Sequence, residues 1–148
     1  MPSKSQILKV MNAAHAVYLA TMSENGPRVR ALVNLRRRWA YPIPSLMART
    51  DDFTVYLTTS KASDKIAEIT ADPRVSVYYS RPLLYRGVLL SGRAEVLESA
   101  ALKQALWSND WRIYWPDGYS NPDYVVVRLK PSEIRGWWGS KPFTFEGP

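Results

Sequence analysis

Residues 17–35 read VYLATMSENGPRVRALVNL, two runs of apolar and β-branched residues on either side of Glu24-Asn25-Gly26-Pro27. Asn-Gly between two such runs is a strong hairpin signal, because the turn needs a residue that accepts a positive φ. The chain therefore begins its sheet with an antiparallel pair. In the second run the two-residue period places Arg28, Arg30, Leu32 and Asn34 on one face and Val29, Ala31, Val33 and Leu35 on the other. Two arginines on one face suit either a forked grip on phosphate or a solvated outer face.

Upstream, Ile7, Leu8, Met11 and Ala14 recur at helical spacing behind Ser3 or Ser5, which predicts a short amphipathic helix over 3–14. Downstream, residues 36–51, RRRWAYPIPSLMARTD, show no clean period and are expected to form a long exposed loop. Phe53 to Thr58 reads as a third strand, followed by a helix from about Ser63 to Thr70 that Asp72-Pro73 ends. Arg74 to Tyr79 and Gly87 to Leu97 read as a fourth strand and a long bent fifth, with Gly87 and Gly92 where a bulge or barrel corner would fall. Residues 99–111 are predicted helical, 114–118 a turn, and Tyr124 to Leu129 and Ile134 to Trp138 the last strands, ahead of a polar tail. Six or seven short strands with few helices imply a mainly β fold, a closed or nearly closed β-barrel with helices at its edges. A single strand-helix-strand passage rules against a parallel α/β sheet, and 148 residues suit one domain spanning 1–148.

Composition removes several classes of function. Zero cysteines exclude disulfide scaffolds, thiolate zinc, iron–sulfur ligation and a cysteine nucleophile, and favour a cytoplasmic protein. No apolar run approaches the roughly 20 residues needed to span a bilayer, and the N-terminus lacks the apolar stretch of a signal peptide. His15 is the lone histidine and has no acidic residues at ligand spacing, so no protein-bound metal is expected. The net charge of 20 − 13 = +7 favours an anionic partner. The run Arg36-Arg37-Arg38-Trp39 has the composition of a nucleic-acid contact, but no RNP-like or helix-turn-helix pattern accompanies it, so nucleic acid is not the expected partner.

Between the third strand and its helix, Thr58-Thr59-Ser60-Lys61-Ala62-Ser63-Asp64-Lys65 gathers hydroxyls and two lysines near backbone N–H groups. This is either a phosphate cradle or a capped helix, with Ser63 as N-cap and Lys65 paired to Glu68 on the surface. Neither nucleotide fingerprint, G-x-x-x-x-G-K-[ST] or G-x-G-x-x-G, is present, and G-x-S-x-G is also absent. Trp107, Trp111, Tyr114, Trp115, Trp137 and Trp138 form either core or the wall of a flat ligand site.

Taken in order, Gly26-Pro27-Arg28-Val29-Arg30, Leu57-Thr58-Thr59, Ser63-Asp64-Lys65, Asp72-Pro73-Arg74-Val75-Ser76-Val77, Gly92-Arg93-Ala94-Glu95-Val96 and Tyr114-Trp115-Pro116-Asp117-Gly118 make the chain resemble the pyridoxamine 5′-phosphate oxidase-like flavoproteins. The resemblance covers nearly the whole chain and is closest to the general-stress-protein branch. It implies an FMN-binding split barrel, a homodimer with FMN between its two chains, and a role in oxidoreduction with an unassigned small-molecule substrate. Carried over by position, Arg28, Val29, Arg30, Ala31 and Leu32 would follow the flavin edge, Thr58 and Thr59 would contact the ring or ribityl chain, and Ser63 and Lys65 would hold the phosphate. Trp111, Trp115 and Trp138 would form a far wall contributed by the partner chain. Asp64 departs from the Ser-Arg-Lys pattern, with Lys61 or Arg30 as the compensating cation, and Gly87 replaces a glutamine found in many relatives. Lys141 to Glu146 carries no Arg-x-His element, which weighs against oxidation of vitamin B6 itself. The other readings are a deazaflavin site, a flavin store or sensor, a nucleic-acid-binding barrel, and a dimer without ligand.

Overall fold

The computed structural model describes residues 1–148. Helix α1 (Lys4–Ala13) starts at a capping box, in which the Ser3 hydroxyl accepts from Gln6 N–H and the Gln6 side chain accepts from Ser3 N–H. The hairpin follows as β1 (Ala16–Ser23) and β2 (Gly26–Val33), with Ser23 paired to Gly26 across a two-residue turn. Gly26 has φ +107, which explains the glycine, and the Ser23 hydroxyl donates to the Gly26 carbonyl at 2.7 Å.

The remaining elements are α2 (Pro42–Ala48), β3 (Val55–Ser60), α3 (Asp64–Ala71), β4 (Arg74–Arg81), β5 (Arg86–Leu97), α4 (Ala100–Ala105), β6 (Tyr124–Leu129), β7 (Glu133–Trp138) and β8 (Lys141–Phe145). All strand pairs are antiparallel, in the order β2-β1-β4-β5-β6-β3, with β7 on β5 and β8 on β7. The long β5 serves two sheets, pairing with β4 and β7 along its first part and with β6 from Ala94 to Leu97. It bends at Gly92, where a Cβ would lie 3.1 Å from Leu129 and 3.2 Å from the Lys130 carbonyl. The sheet thus curls into a half-barrel, and β2 and β3, the two ends of the path, remain unpaired with each other.

Inside the curl, a cluster of 22 buried residues includes Val17 and Leu19 of β1, Val77 and Tyr79 of β4, and Val88 and Leu90 of β5, closed by Ile7 and Met11 of α1. A second cluster of seven, with Trp107, Trp111 and Tyr124, fills the space under α2 and α4. Burial pushes the Tyr79 phenol up to about 12.

Four expectations need correction. Residues 36–51 do not form an exposed loop, because Arg36 is 2% exposed and α2 buries Pro44, Ser45 and Ala48. The helix expected over 99–111 stops at Ala105 and resumes as a 3-10 turn over Asn109–Ile113, which starts where the Ser108 hydroxyl accepts from Asp110 N–H. The tail forms β8, whose Pro142 is tolerated because β8 is an edge strand. The third strand lies two residues later than expected, at Val55–Ser60. No helix is long and apolar enough to cross a membrane.

Candidate functional site

The split between β2 and β3 is bridged by charged side chains. The arginine face of β2 is the inner one, since Leu32 packs against the core and Asn34 is buried, while Val29 on the other face is 66% exposed. Arg28 and Arg30 therefore do not form a solvated outer face. They turn toward α3, where Glu68 accepts from Arg28 Nη1 at 2.8 Å and from Arg30 Nη2 at 2.7 Å. The Thr21 hydroxyl also donates to Glu68 at 2.7 Å, and Arg30 Nη1 donates to Thr21 Oγ1 at 2.6 Å. Hydrogen bonding from Thr21, then the two arginines, hold the Glu68 carboxyl below the usual carboxylate range against the opposing effect of burial.

Lys65, one turn before Glu68 on α3, does not make the expected surface pair with it. Its ammonium donates to Thr59 Oγ1 of β3 at 2.8 Å and forms no salt bridge. Burial first, and the field of Arg30 second, lower the Lys65 pKa, while Asp64 and Glu68 oppose them. Arg30 and Lys65 are thus two neighbouring cations, contributed from opposite sides of the split. Counting Arg28, Arg30 and Lys65 against Glu68 and Asp64 leaves a formal charge of 3 − 2 = +1. Such a donor set fits an anion, and β2, as an end strand, leaves one edge of backbone N–H and C=O groups without a strand partner.

Other expected site residues are placed elsewhere. Ser63 precedes α3, but its hydroxyl donates to the Ser60 carbonyl at 2.8 Å and makes no cap hydrogen bond. Thr58 alternates with Thr59 and so lies on the opposite face of β3, toward Tyr124. Lys61 pairs with Glu98 at 3.0 Å, which directs it away from Arg30, and Asp64 is exposed and 4.0 Å from Arg28. Gly87 has a steric reason: a Cβ there would collide with the ring and hydroxyl of Tyr78.

The tryptophans divide similarly. Trp111 is 7% exposed and packs edge-on to Trp107, with centroids 5.8 Å apart, inside the second core. Trp115 donates from its indole to Asp123 at 3.1 Å, and Asp123 also accepts from Ser60 Oγ and Ala62 N–H, which fixes the turn before α3. Those bonds, the one from Ser60 foremost, hold the Asp123 carboxyl below its ordinary value. Trp138 packs against the main core with Arg86 4.2 Å above its ring, and β1, β4 and β5 separate it from β2 within one chain.

Two residues central to this region were not identified from the sequence. Helical spacing offers Glu68 only a surface pair with Lys65, because a local spacing rule cannot see arginines 38 and 40 positions away. Arg36 looked like part of a solvated run, yet its guanidinium donates to the carbonyls of Ala48, Thr50 and Thr54 and to Asn12. No three His, Asp or Glu side chains come together as a metal-binding group.

Comparison with known proteins extends this geometry. The sequence profile described as pyridoxamine 5′-phosphate oxidase matches residues 3–138. General stress protein 26 of Bacillus subtilis is 27% identical over 135 residues, 89% of this chain and 86% of its own length. A Clostridium acetobutylicum protein related to general stress protein 26 superposes with a TM-score of 0.77 at 21% identity, covering 96% of this chain and 92% of its own. A pyridoxamine 5′-phosphate oxidase-related, FMN binding protein of Nostoc punctiforme gives a TM-score of 0.64 at 17% identity, covering 97% and 88%.

Proposed function

The chain belongs to the pyridoxamine 5′-phosphate oxidase family, and from that premise we propose that it is an FMN-binding protein of the general-stress-protein type, acting in oxidoreduction on a small-molecule substrate. The observation that carries this reading is that Arg30 and Lys65 are close enough for each to act on the other's charge, with Lys65 held by Thr59 and by no carboxylate.

Bound FMN supplies hydride and single-electron transfer. Lys65 and Arg30 would hold its phosphate through charge-assisted hydrogen bonds, and the bond to Thr59 fixes the Lys65 ammonium for that role. Arg28, through its bond to Glu68, keeps the cation cluster in place. The free edge of β2 from Val29 to Leu32 offers backbone donors and acceptors to the polar edge of the ring. Ser63 orders the turn from which Lys65 projects, and Trp115 does the same through Asp123. Trp111 lies within the second core, against Trp107 and Tyr124. A second copy of the chain completes the site, bringing Trp138 and its neighbours on β7 toward this chain's β2.

The test is a visible absorption spectrum after FMN addition and gel filtration. Retained flavin at one per chain supports the reading, and Lys65→Glu combined with Arg30→Ala is expected to abolish retention while the far-ultraviolet circular dichroism stays unchanged. Wild-type protein that retains no flavin at micromolar concentration overturns it.

A further inference from the structure

Beyond the open edge of β2 lies a cavity of about 350 Å³, lined by His15, Ala31, Leu32, Val33, Asn34, Arg37, Ala40 and Tyr41. Its walls are mixed. Ala31, Leu32, Val33 and Tyr41 supply apolar surface, whereas Arg37 and His15 supply the groups able to bind a charged or polar ligand. No Asp or Glu is among the lining residues.

Arg37 is the informative group. Its backbone is fully engaged, donating to the Asn34 carbonyl at 3.1 Å and accepting from Tyr41 N–H at 3.0 Å, so the position of the residue is fixed. Its guanidinium, half-buried, makes no hydrogen bond and no salt bridge, although the other partly buried or buried arginines nearby are engaged: Arg36 with four acceptors and Arg49 with the Arg36 carbonyl. The surroundings are also positive. Arg49 has its pKa lowered first by burial and then by the field of Arg38. Asn34 cannot serve Arg37, because its amide donates to the Met11 and Ala14 carbonyls and its oxygen accepts from Arg36 N–H.

We propose that this cavity is a binding site for a small organic carboxylate, with the Arg37 guanidinium taking the carboxylate through paired hydrogen bonds and the apolar walls covering a flat or short hydrocarbon body. The class follows from charge and shape. A planar guanidinium matches a carboxylate with two parallel bonds. A single cation in the lining balances a monoanion, whereas a phosphate monoester would leave a second charge unmatched. The volume lies near the lower limit of small-molecule pockets, about 300 Å³, and so admits a ligand of benzoate size rather than a cofactor. That the carboxylate lies beside the flavin rests on the flavin reading above, because the cavity shares Ala31 and Leu32 with the strand assigned to the flavin edge.

His15 is the only histidine and lines the cavity, so its ring protons give a single reporter at the cavity wall. The experiment follows those resonances by proton NMR while benzoate is added to the protein without flavin, with benzamide as the neutral isostere. Benzoate is expected to shift them saturably in the millimolar range and benzamide to leave them in place. Arg37→Ala should weaken benzoate at least tenfold, and Arg37→Lys, which keeps the charge but loses the fork, should fall between them. Equal response to benzamide, or the same benzoate affinity in Arg37→Ala and Arg37→Lys as in wild type, overturns the proposal. A parallel titration of FMN-loaded protein reads the flavin absorption bands. A benzoate-induced band shift that Arg37→Ala removes supports a carboxylate beside the flavin, and unchanged bands beside a persisting His15 shift overturn that adjacency alone. Failure to load FMN while the His15 shift persists overturns the flavin reading and leaves the carboxylate site standing.

Discussion

Arg36 carries a buried guanidinium that touches no carboxylate; its four hydrogen bonds run to Asn12 and to the carbonyls of Ala48, Thr50 and Thr54. Burial lowers its pKa, and the carbonyl dipoles stabilise the cation. Arg36→Ala would leave those acceptors without their donor inside the protein, and a loss of about 3 kcal/mol or more is expected in urea unfolding. A loss below about 1 kcal/mol would show that water replaces the side chain without cost. Glu68 is the opposite case, a carboxylate held by two cations and a hydroxyl. Its folded pKa is depressed, so the stability it contributes is present above its unfolded value, near 4.5, and disappears as pH falls through the folded value. Asp72, held at about 2 chiefly by the Arg74 guanidinium, acts in the same direction over a window from 3.8 downward. Thermal melts should therefore show Glu68→Gln less stable than wild type at pH 7, with the gap closing as pH falls below 4.5. A gap that is constant with pH would remove the carboxylate charge from the explanation.

At the scale of elements, the close approach of β5 and β7 depends on glycine. A Cβ on Gly136 would run into the Gly87 carbonyl, and one on Gly87 into Tyr78, so the two strands and the Tyr78 ring occupy one another's side-chain space. Gly136→Ala is expected to cost about 2 kcal/mol or more in thermal unfolding through overpacking. Gly139→Ala is the comparison, because at φ +64 it meets nothing within 4 Å and carries only the backbone strain, about 1 kcal/mol. Equal losses in the two variants would mean that β7 shifts freely to accept the methyl. The same elements show what the sequence could reveal. The hairpin over 17–35, a serine cap at the start of α1 and the end of α3 at Asp72-Pro73 were all legible, since each signal lies within a few residues of the feature it sets. Helix α2 was not, for its buried residues Pro44, Ser45 and Ala48 are not an apolar stripe, and its anchor, Arg36, reads as a surface charge until its distant acceptors are known. Arg30 and Lys65 were each legible as candidate phosphate ligands by residue type, and only the family resemblance joined them, whereas Glu68 between Arg28 and Arg30 required the fold to bring α3 against β2.

For the whole molecule, the outer face of the curled sheet presents more apolar surface than a monomer needs. The strand register aligns Ala31, Tyr18, Tyr78 and Leu89 in one row, and Val33 and Trp137 lie on the same face. Tyr18 is 42% exposed, Val29 66% and Trp137 52%. A continuous face of this kind marks an interaction surface. A second copy is the occupant proposed for this face, and its association would bring β7 of one chain toward β2 of the other, a juxtaposition that β1, β4 and β5 prevent within a single chain. Sedimentation is expected to give about twice the 16.9 kDa chain mass at micromolar concentration. Trp137→Glu places a charge on this face without touching Arg30 or Lys65, and an exposed substitution of this kind changes the stability of the chain itself by only about 0.5 kcal/mol. The variant is therefore expected to sediment as a folded monomer and to lose FMN at the same time. A variant that remains dimeric would remove this face from the interface. A monomeric variant that still retains FMN would show that one chain forms the whole site, because the charge at Trp137 acts on flavin only through the loss of the second copy.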